Sequence, residues 1–133
     1  MNALKVFLGR YESQTWALFR IMTAFVYACH GAQKLFGVLE GHTVYGNALL
    51  VTAGVIEFGG GVLIALGLLT TPVALLASGE MAVAYFKVHA PKDFWPILNH
   101  GELPVLFCFA FLAIAARGPG VWSADSKLGA ARG

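Results

Sequence analysis

The chain has 133 residues, of which 58% are hydrophobic and 12% are charged, and its mean hydropathy is +0.71. Soluble domains carry about 25% charged residues, so this composition excludes an ordinary soluble protein and predicts one integral membrane domain over residues 1–133. The net charge of +2 comes from scattered basic residues, which argues against nucleic acid as a partner.

Four apolar stretches follow one another along the chain, each approaching the length that a helix needs to cross a bilayer. They cover about residues 15–36, 47–69, 71–90 and 102–117. The second connection, Thr70-Thr71-Pro72, is so short that its flanking spans must be antiparallel neighbours, with Thr70 or Thr71 as an N-cap. The sequence therefore predicts an all-α membrane protein with four transmembrane helices in an antiparallel bundle.

Basic residues in the connections indicate the orientation, because cytoplasmic loops carry an excess of Lys and Arg. With both termini on one side, that side holds five basic residues and the other holds three. The five are Lys5, Arg10, Arg117, Lys127 and Arg132, and the three are Lys34, Lys87 and Lys92. We therefore expect a multi-pass protein with both termini in the cytoplasm.

Ionisable residues interrupt the apolar spans, although a charge at bilayer depth costs at least about 2.5–3.5 kcal/mol. Glu57 lies in the middle of the second span and Glu102 opens the fourth, while His30 and Lys34 share one face of the first. Carboxylate–cation pairs inside a bundle can simply fix the helix register. For Glu57 with His30 and Lys34, however, we favour a functional polar site, in which Glu102 is a further candidate.

Two other charged residues have different interpretations. Arg20 lies near the cytoplasmic end of the first span, where its side chain is expected to extend to the membrane surface. Glu80, in the middle of the third span, is either protonated and hydrogen-bonded within the chain or in contact with a partner subunit.

Metal and redox-cofactor patterns are missing from the sequence. Its four histidines show no i, i+4 or H-x-H spacing, so no metal site is predicted. Cys29 and Cys108 are interpreted as buried apolar residues, with a disulfide-exchange pair as the alternative. No ligand pattern for haem, flavin or an iron–sulfur cluster is visible, and no covalently bound cofactor is expected.

The order of several short motifs is similar to that of the DoxX family of bacterial membrane proteins, over about residues 16–125. Two residues depart from the family pattern, since Pro72 follows the turn where an arginine is common and Glu80 replaces an apolar residue. The matching motifs are Arg20-Ile21, His30-Gly31, Lys34-Leu35-Phe36-Gly37, Glu57 with Gly59-Gly60, Asn99-His100-Gly101-Glu102 and the closing Gly118-Pro119-Gly120-Val121-Trp122-Ser123-Ala124-Asp125.

This resemblance implies a four-helix protein of the bacterial inner membrane, related to small membrane subunits of thiosulfate:quinone oxidoreductase. It favours a non-catalytic or co-catalytic subunit of a redox complex, with a quinone-adjacent site at His30, Lys34, Glu57 and Glu102. Arg20, Trp122 and Asp125 are then structural anchors. The chain alone is not expected to be an enzyme.

Two other functions remain open. One is a structural anchor or assembly factor without a ligand site of its own, which binds protein partners through Glu80. The other is a small-solute or proton-coupled carrier that works as a homo-oligomer, because four spans are few for a transporter acting alone.

Overall fold

A computed structural model describes residues 2–131 of the chain, so Arg132, which entered the orientation argument, lies outside the described residues. The described part consists of helices and loops and contains no strand, which confirms the all-α prediction. Its helices are α1 (Ala3–Gly9), α2 (Glu12–Phe36), α3 (Ala48–Val55), α4 (Gly61–Leu66), α5 (Thr70–Ala84), α6 (Pro96–Asn99), α7 (Glu102–Arg117) and α8 (Ala124–Ala131).

Four long helical segments pack side by side, and their ends lie within a few residues of the four predicted spans. The segments are α2, the continuous α3–α4 helix, α5 and α7, with α2 packed along α3–α4 and α5 along α7. Within the described part, one helix, Ala48–Leu66, is long and apolar enough by itself to cross a membrane. The further claim that all four segments cross a membrane stays a prediction.

Two wide, π-helical turns interrupt these segments. The first, Ile56–Gly60, joins α3 to α4 and places Glu57 and Gly60 inside the bundle. The second, Tyr85–His89, extends α5 at its far end. A π-helical turn adds one residue to a helical turn and often lies at a functional site. The first therefore allows a charged side chain to face inward from an otherwise apolar helix.

The buried face of α2 is a regular stripe. Ala17, Arg20, Ala24, Tyr27 and Gly31 are all buried, at alternating intervals of three and four residues. This spacing keeps them on one side of a helix that packs against neighbours. Arg20 and Tyr27 are thus fixed on the same face, seven residues apart.

Glycine allows α2 and the α3–α4 helix to approach closely. A Cβ atom at Gly31 would lie 2.2 Å from the backbone nitrogen of Phe58, and one at Gly61 would lie 2.8 Å from the carbonyl oxygen of Ala24. Small residues at such positions are the usual basis of helix packing in lipid. The contact joins Gly31 directly to the first π-helical turn.

Aromatic rings and small residues build the rest of the core. The ring of Tyr27 meets the edges of Phe107 and Phe111, with centroids 5.5 and 4.6 Å apart. On α5, Ala74 and Ser78 are buried, and the Ser78 hydroxyl donates to the carbonyl of Cys108 on α7 at 2.7 Å. These small residues of α5 therefore lie at its contact with α7.

Arg20 closes the end of the bundle where both chain termini lie. Its side chain is fully buried, which differs from the expectation that it reaches the membrane surface. The guanidinium has five N–H donors in a planar fork, and here the group donates to protein acceptors. These acceptors, at 2.7–3.1 Å, are the backbone carbonyls of Ile64, Ala65, Pro119, Val121 and Trp122.

Asp125 caps the start of α5 from a distant part of the chain. Its two carboxylate oxygens accept from the backbone N–H groups of Leu69 and Thr70, each at 2.9 Å. The expected N-cap at Thr70 or Thr71 was wrong, because Leu69 occupies that position and makes no cap through its own side chain. A carboxylate supplied by α8 replaces the local cap.

The environment of Asp125 favours its ionised form. Burial raises the pKa of its carboxyl, but hydrogen bonds from Thr70 and Leu69 and the charge of Arg20 outweigh burial, so the pKa lies below its ordinary value of 3.8. A carboxyl with a depressed folded-state pKa stabilises the fold above its unfolded pKa. That contribution is lost as the pH falls through the lower, folded-state pKa.

We predict that Asp125→Ala lowers the free energy of unfolding by about 1–2 kcal/mol at pH 7, the usual cost of losing a helix cap. Thermal unfolding in detergent micelles, followed by circular dichroism, measures the effect. The difference from the wild type should shrink below pH 3.8. Glu12→Ala, which removes an exposed ion pair with Arg117, is the control and should change little. A pH-independent difference would contradict this account.

We also predict that Gly31→Leu destabilises the protein by about 1–3 kcal/mol or prevents its assembly, because an overpacked contact forces the backbone apart. The same unfolding measurement applies. Gly79→Leu is the matched control, since a Cβ atom at Gly79 would meet no atom within 4 Å. Equal stability of the two variants would contradict the close packing of α2 against the π-helical turn.

Candidate functional site

An ion pair inside the bundle joins α2 to the first π-helical turn. The ammonium nitrogen of Lys34 lies 2.5 Å from Oε2 of Glu57. The Lys34 side chain is 27% exposed and that of Glu57 only 4%. An ionised carboxylate at this depth needs a partner of opposite charge, and Lys34 provides it.

A second carboxyl group faces the same interior from α5. Glu80 accepts a hydrogen bond from the hydroxyl of Tyr27 at 3.0 Å. Tyr27 itself is fully buried, so its hydroxyl depends on this contact for a partner. The hydrogen bond connects α5 to the same face of α2 that carries Lys34.

Both polar pairs line one cavity of about 380 Å³ between α2, the α3–α4 helix, α5 and α7. Three histidines, His30, His89 and His100, lie on its wall. Apolar side chains complete it. They include Leu50, Ala53, Met81, Ala84, Val88, Leu103, Pro104 and Phe107. The cavity therefore combines a few polar groups with an apolar wall, which is typical of small-molecule sites.

A compact connection covers the end of the bundle near this cavity. Asn99 is fully buried, and its side-chain amide donates to the Tyr85 hydroxyl at 3.1 Å and to the Asp93 carbonyl at 2.9 Å. Nδ1 of His89 lies 2.9 Å from the carbonyl oxygen of Asn99. These bonds fix His89 on the second π-helical turn, so its ring has a defined place on the cavity wall.

The structure gathers three of the four residues predicted for the polar site. His30, Lys34 and Glu57 all line the cavity. Glu102 does not, because it lies in the first turn of α7 with its side chain exposed. The position of a residue along its span therefore helped to identify cavity residues. For Glu102, the sequence did not show on which side of the helix the side chain lies.

Four further residues of the cavity were missed as members of the site. Tyr27 is seven residues before Lys34, a spacing that places both on one helix face, and this signal could have found it. Glu80 was expected either to be protonated and hydrogen-bonded within the chain or to contact a partner subunit, and it accepts a hydrogen bond from Tyr27 beside the same cavity as Glu57. His89 and His100 depend on the fold of the third connection, which has no simple sequence signal.

The remaining predicted residues lie elsewhere. Arg20, Trp122 and Asp125 belong to the closed end of the bundle, where the Trp122 carbonyl accepts from Arg20. Within residues 2–131 no three His, Cys, Asp or Glu side chains come together as a metal site. Cys29 and Cys108 are free thiols, each half-buried.

This arrangement can hold a small molecule with polar atoms at opposite ends of an apolar ring. Lys34 and the Tyr27 hydroxyl are hydrogen-bond donors, ionised carboxylates are acceptors, and histidine rings serve as either. Carboxyl and imidazole groups can also accept and release protons. The cavity thus brings hydrogen-bonding and titratable groups together between apolar walls.

Comparisons with known proteins identify the family of the chain. A sequence model of the DoxX family matches residues 15–90, a range that holds Tyr27, Lys34, Glu57 and Glu80. The chain is also 36% identical over 127 residues to an uncharacterized protein of Haemophilus influenzae, covering 90% of this chain and 95% of the relative. No solved structure matches the chain. The chain belongs to the DoxX family and is a membrane protein.

Proposed function

We propose that this chain is a four-span protein of the bacterial inner membrane that binds the head group of a quinone and serves as a subunit of a redox complex. One observation carries the proposal: a cavity of about 380 Å³ holds the Lys34–Glu57 and Tyr27–Glu80 pairs within apolar walls. An apolar ring with two polar oxygens is complementary to such a cavity.

The outer faces of the helices support the proposal of four spans. Large apolar side chains remain exposed along each long helix, whereas charges at the same depth are turned inward or paired. Exposed apolar surface on this scale is unfavourable in water and is expected against lipid. The exposed residues include Leu18, Met22 and Phe25 on α2, Val55 and Val62 on α3–α4, Leu75 and Val83 on α5, and Leu106 and Phe109 on α7.

The closed end of the bundle supports placing both termini on one side. Trp16, near the start of α2, donates to the carbonyl of Gly118 at 3.0 Å, just after α7 ends. Glu12 pairs with Arg117 at the same end. Together with the excess of basic residues there, these contacts favour cytoplasmic termini.

The donors and acceptors of the cavity fit the two oxygens of a quinone ring. Lys34 and His30 would donate to one oxygen and His100 to the other, while the Tyr27 hydroxyl keeps its hydrogen bond to Glu80. Glu57 and Glu80 would hold the protons that accompany reduction. A bound quinone supplies two-electron, two-proton carrier chemistry, while the protein binds the ring, excludes water and positions the acids.

We assign the electron transfer itself to a partner subunit, because the sequence has no ligand pattern for a redox centre. In this proposal the chain contributes the membrane site at which the partner meets the quinone pool. A homo-oligomer around the same site is the other arrangement we consider.

We predict that Glu57→Gln weakens quinone binding by about 10- to 100-fold, because Lys34, the proposed donor to a quinone oxygen, loses the charged hydrogen bond worth about 1.5–3 kcal/mol that positions it. The Kd is measured by titrating the purified protein in detergent with a water-soluble benzoquinone head group. Glu102→Gln is the matched control, because Glu102 is exposed and lies outside the cavity. Its Kd should equal that of the wild type.

Folding is monitored in parallel, because Glu57→Gln leaves Lys34 without its carboxylate. Glu80→Gln and His30→Ala provide independent changes of the same cavity and should also weaken binding. Wild-type affinity in all three cavity variants would contradict the proposal. A well-folded wild type that co-purifies with partner subunits but binds no quinone would instead favour a structural anchor.

A further inference from the structure

A long apolar groove runs along the outside of the bundle between α3 and α5. Its volume is about 730 Å³, and Leu49, Ile56, Leu76 and Val83 are among the residues that line it. The groove lies on the face that we place against lipid, and Leu76 and Val83 are 54% and 59% exposed. Its lining is apolar along nearly its whole length.

The groove and the inner cavity are adjacent and share part of their walls. Glu80 lines both of them, so its carboxyl group lies at the boundary between the apolar groove and the polar interior. Four apolar residues also line both spaces, namely Leu50, Ala53, Ala84 and Val88. A single elongated molecule could therefore occupy the two spaces at once, with a polar head inside and an apolar chain outside.

We propose that this groove holds the isoprenoid tail of the quinone whose head occupies the cavity, and that the seam between α3 and α5 is where the quinone enters from the bilayer. The inference rests on the proposed function and adds the direction from which the ligand comes. We infer this direction because Glu80 lies at the boundary between the groove and the cavity. The polar end of a ligand that comes from the bilayer must therefore pass Glu80 to reach Lys34 and Glu57.

A second large groove, at the closed end of the bundle, does not share these properties. It has a volume of about 770 Å³ and is lined in part by Lys5, Glu12 and Arg117. None of its lining residues belongs to the inner cavity. Volume alone therefore does not select the α3–α5 groove, whereas the wall that it shares with the polar cavity does.

The groove can be filled without disturbing the fold. Gly79 lines it, and a Cβ atom added there would meet no atom within 4 Å. Leucine also has a higher helix propensity than glycine. Gly79→Leu should therefore narrow the groove while the cavity keeps its shape. Leu106→Trp, on the exposed face of α7, adds bulk to lipid-facing surface elsewhere and is the matched control.

The test uses a benzoquinone with a short isoprenoid tail that carries a photoreactive diazirine at its end. The purified protein in lipid nanodiscs is irradiated with this probe, and the labelled residues are identified by mass spectrometry. We expect labels on groove residues of α3 and α5, such as Leu49, Leu76 and Val83. An excess of the tailless head group should abolish these labels, because the head anchors the tail.

In Gly79→Leu we expect groove labelling to fall about tenfold, a change equivalent to about 1.4 kcal/mol. Leu106→Trp should label like the wild type, and binding of the tailless head group should be unchanged in both variants. Labels spread evenly over α7 and the groove, or groove labels that the head group does not displace, would overturn the inference. They would indicate lipid-like partitioning of the tail.

The two proposals fail in different ways. If the head group binds and depends on Glu57 while Gly79→Leu leaves the labelling unchanged, the head-group site stands and the entry route is wrong. If the tailless head group does not bind to the wild type, the proposed function fails, and with it the role of the groove.

Discussion

The buried guanidinium of Arg20 is the interaction on which the rest of the structure depends. Backbone carbonyls at membrane depth have no water to bind, and each unsatisfied group costs several kcal/mol. Arg20 satisfies five of them, at the end of α4 and in the connection after α7. It thereby fixes α2 against both neighbours, and the same helix face then presents Tyr27 and Lys34 to the interior.

The polar cavity follows from the same constraint. A carboxylate placed on the α3–α4 helix needs a cation, and Lys34 supplies one at 2.5 Å. A second carboxyl group on α5 meets the hydroxyl of a fully buried tyrosine. The protein thus holds two carboxyl groups, a lysine and three histidines around one cavity with apolar walls. We interpret that arrangement as a site for a ligand that needs both hydrogen bonds and protons.

Helix positions could be predicted because glycine and proline separate the apolar stretches, and α7 occupies residues 102–117 as expected. The site was predicted less completely. Glu102 lies at the right depth but points outward, since direction depends on helix packing. Asp125 caps a helix 55 residues earlier in the chain, and no local pattern indicates such a contact. The π-helical turn that carries Glu57 packs closely against Gly31, a tertiary contact that helix propensities do not describe.

An experimental structure of the protein in nanodiscs with a tailed benzoquinone tests the central claim most directly. The account predicts density for the ring in the cavity between α2, the α3–α4 helix and α5, with one quinone oxygen within hydrogen-bond distance of Lys34. The tail should leave past Glu80 into the α3–α5 groove. A ring bound elsewhere on the surface, with the Lys34–Glu57 pair enclosed by water alone, would contradict it.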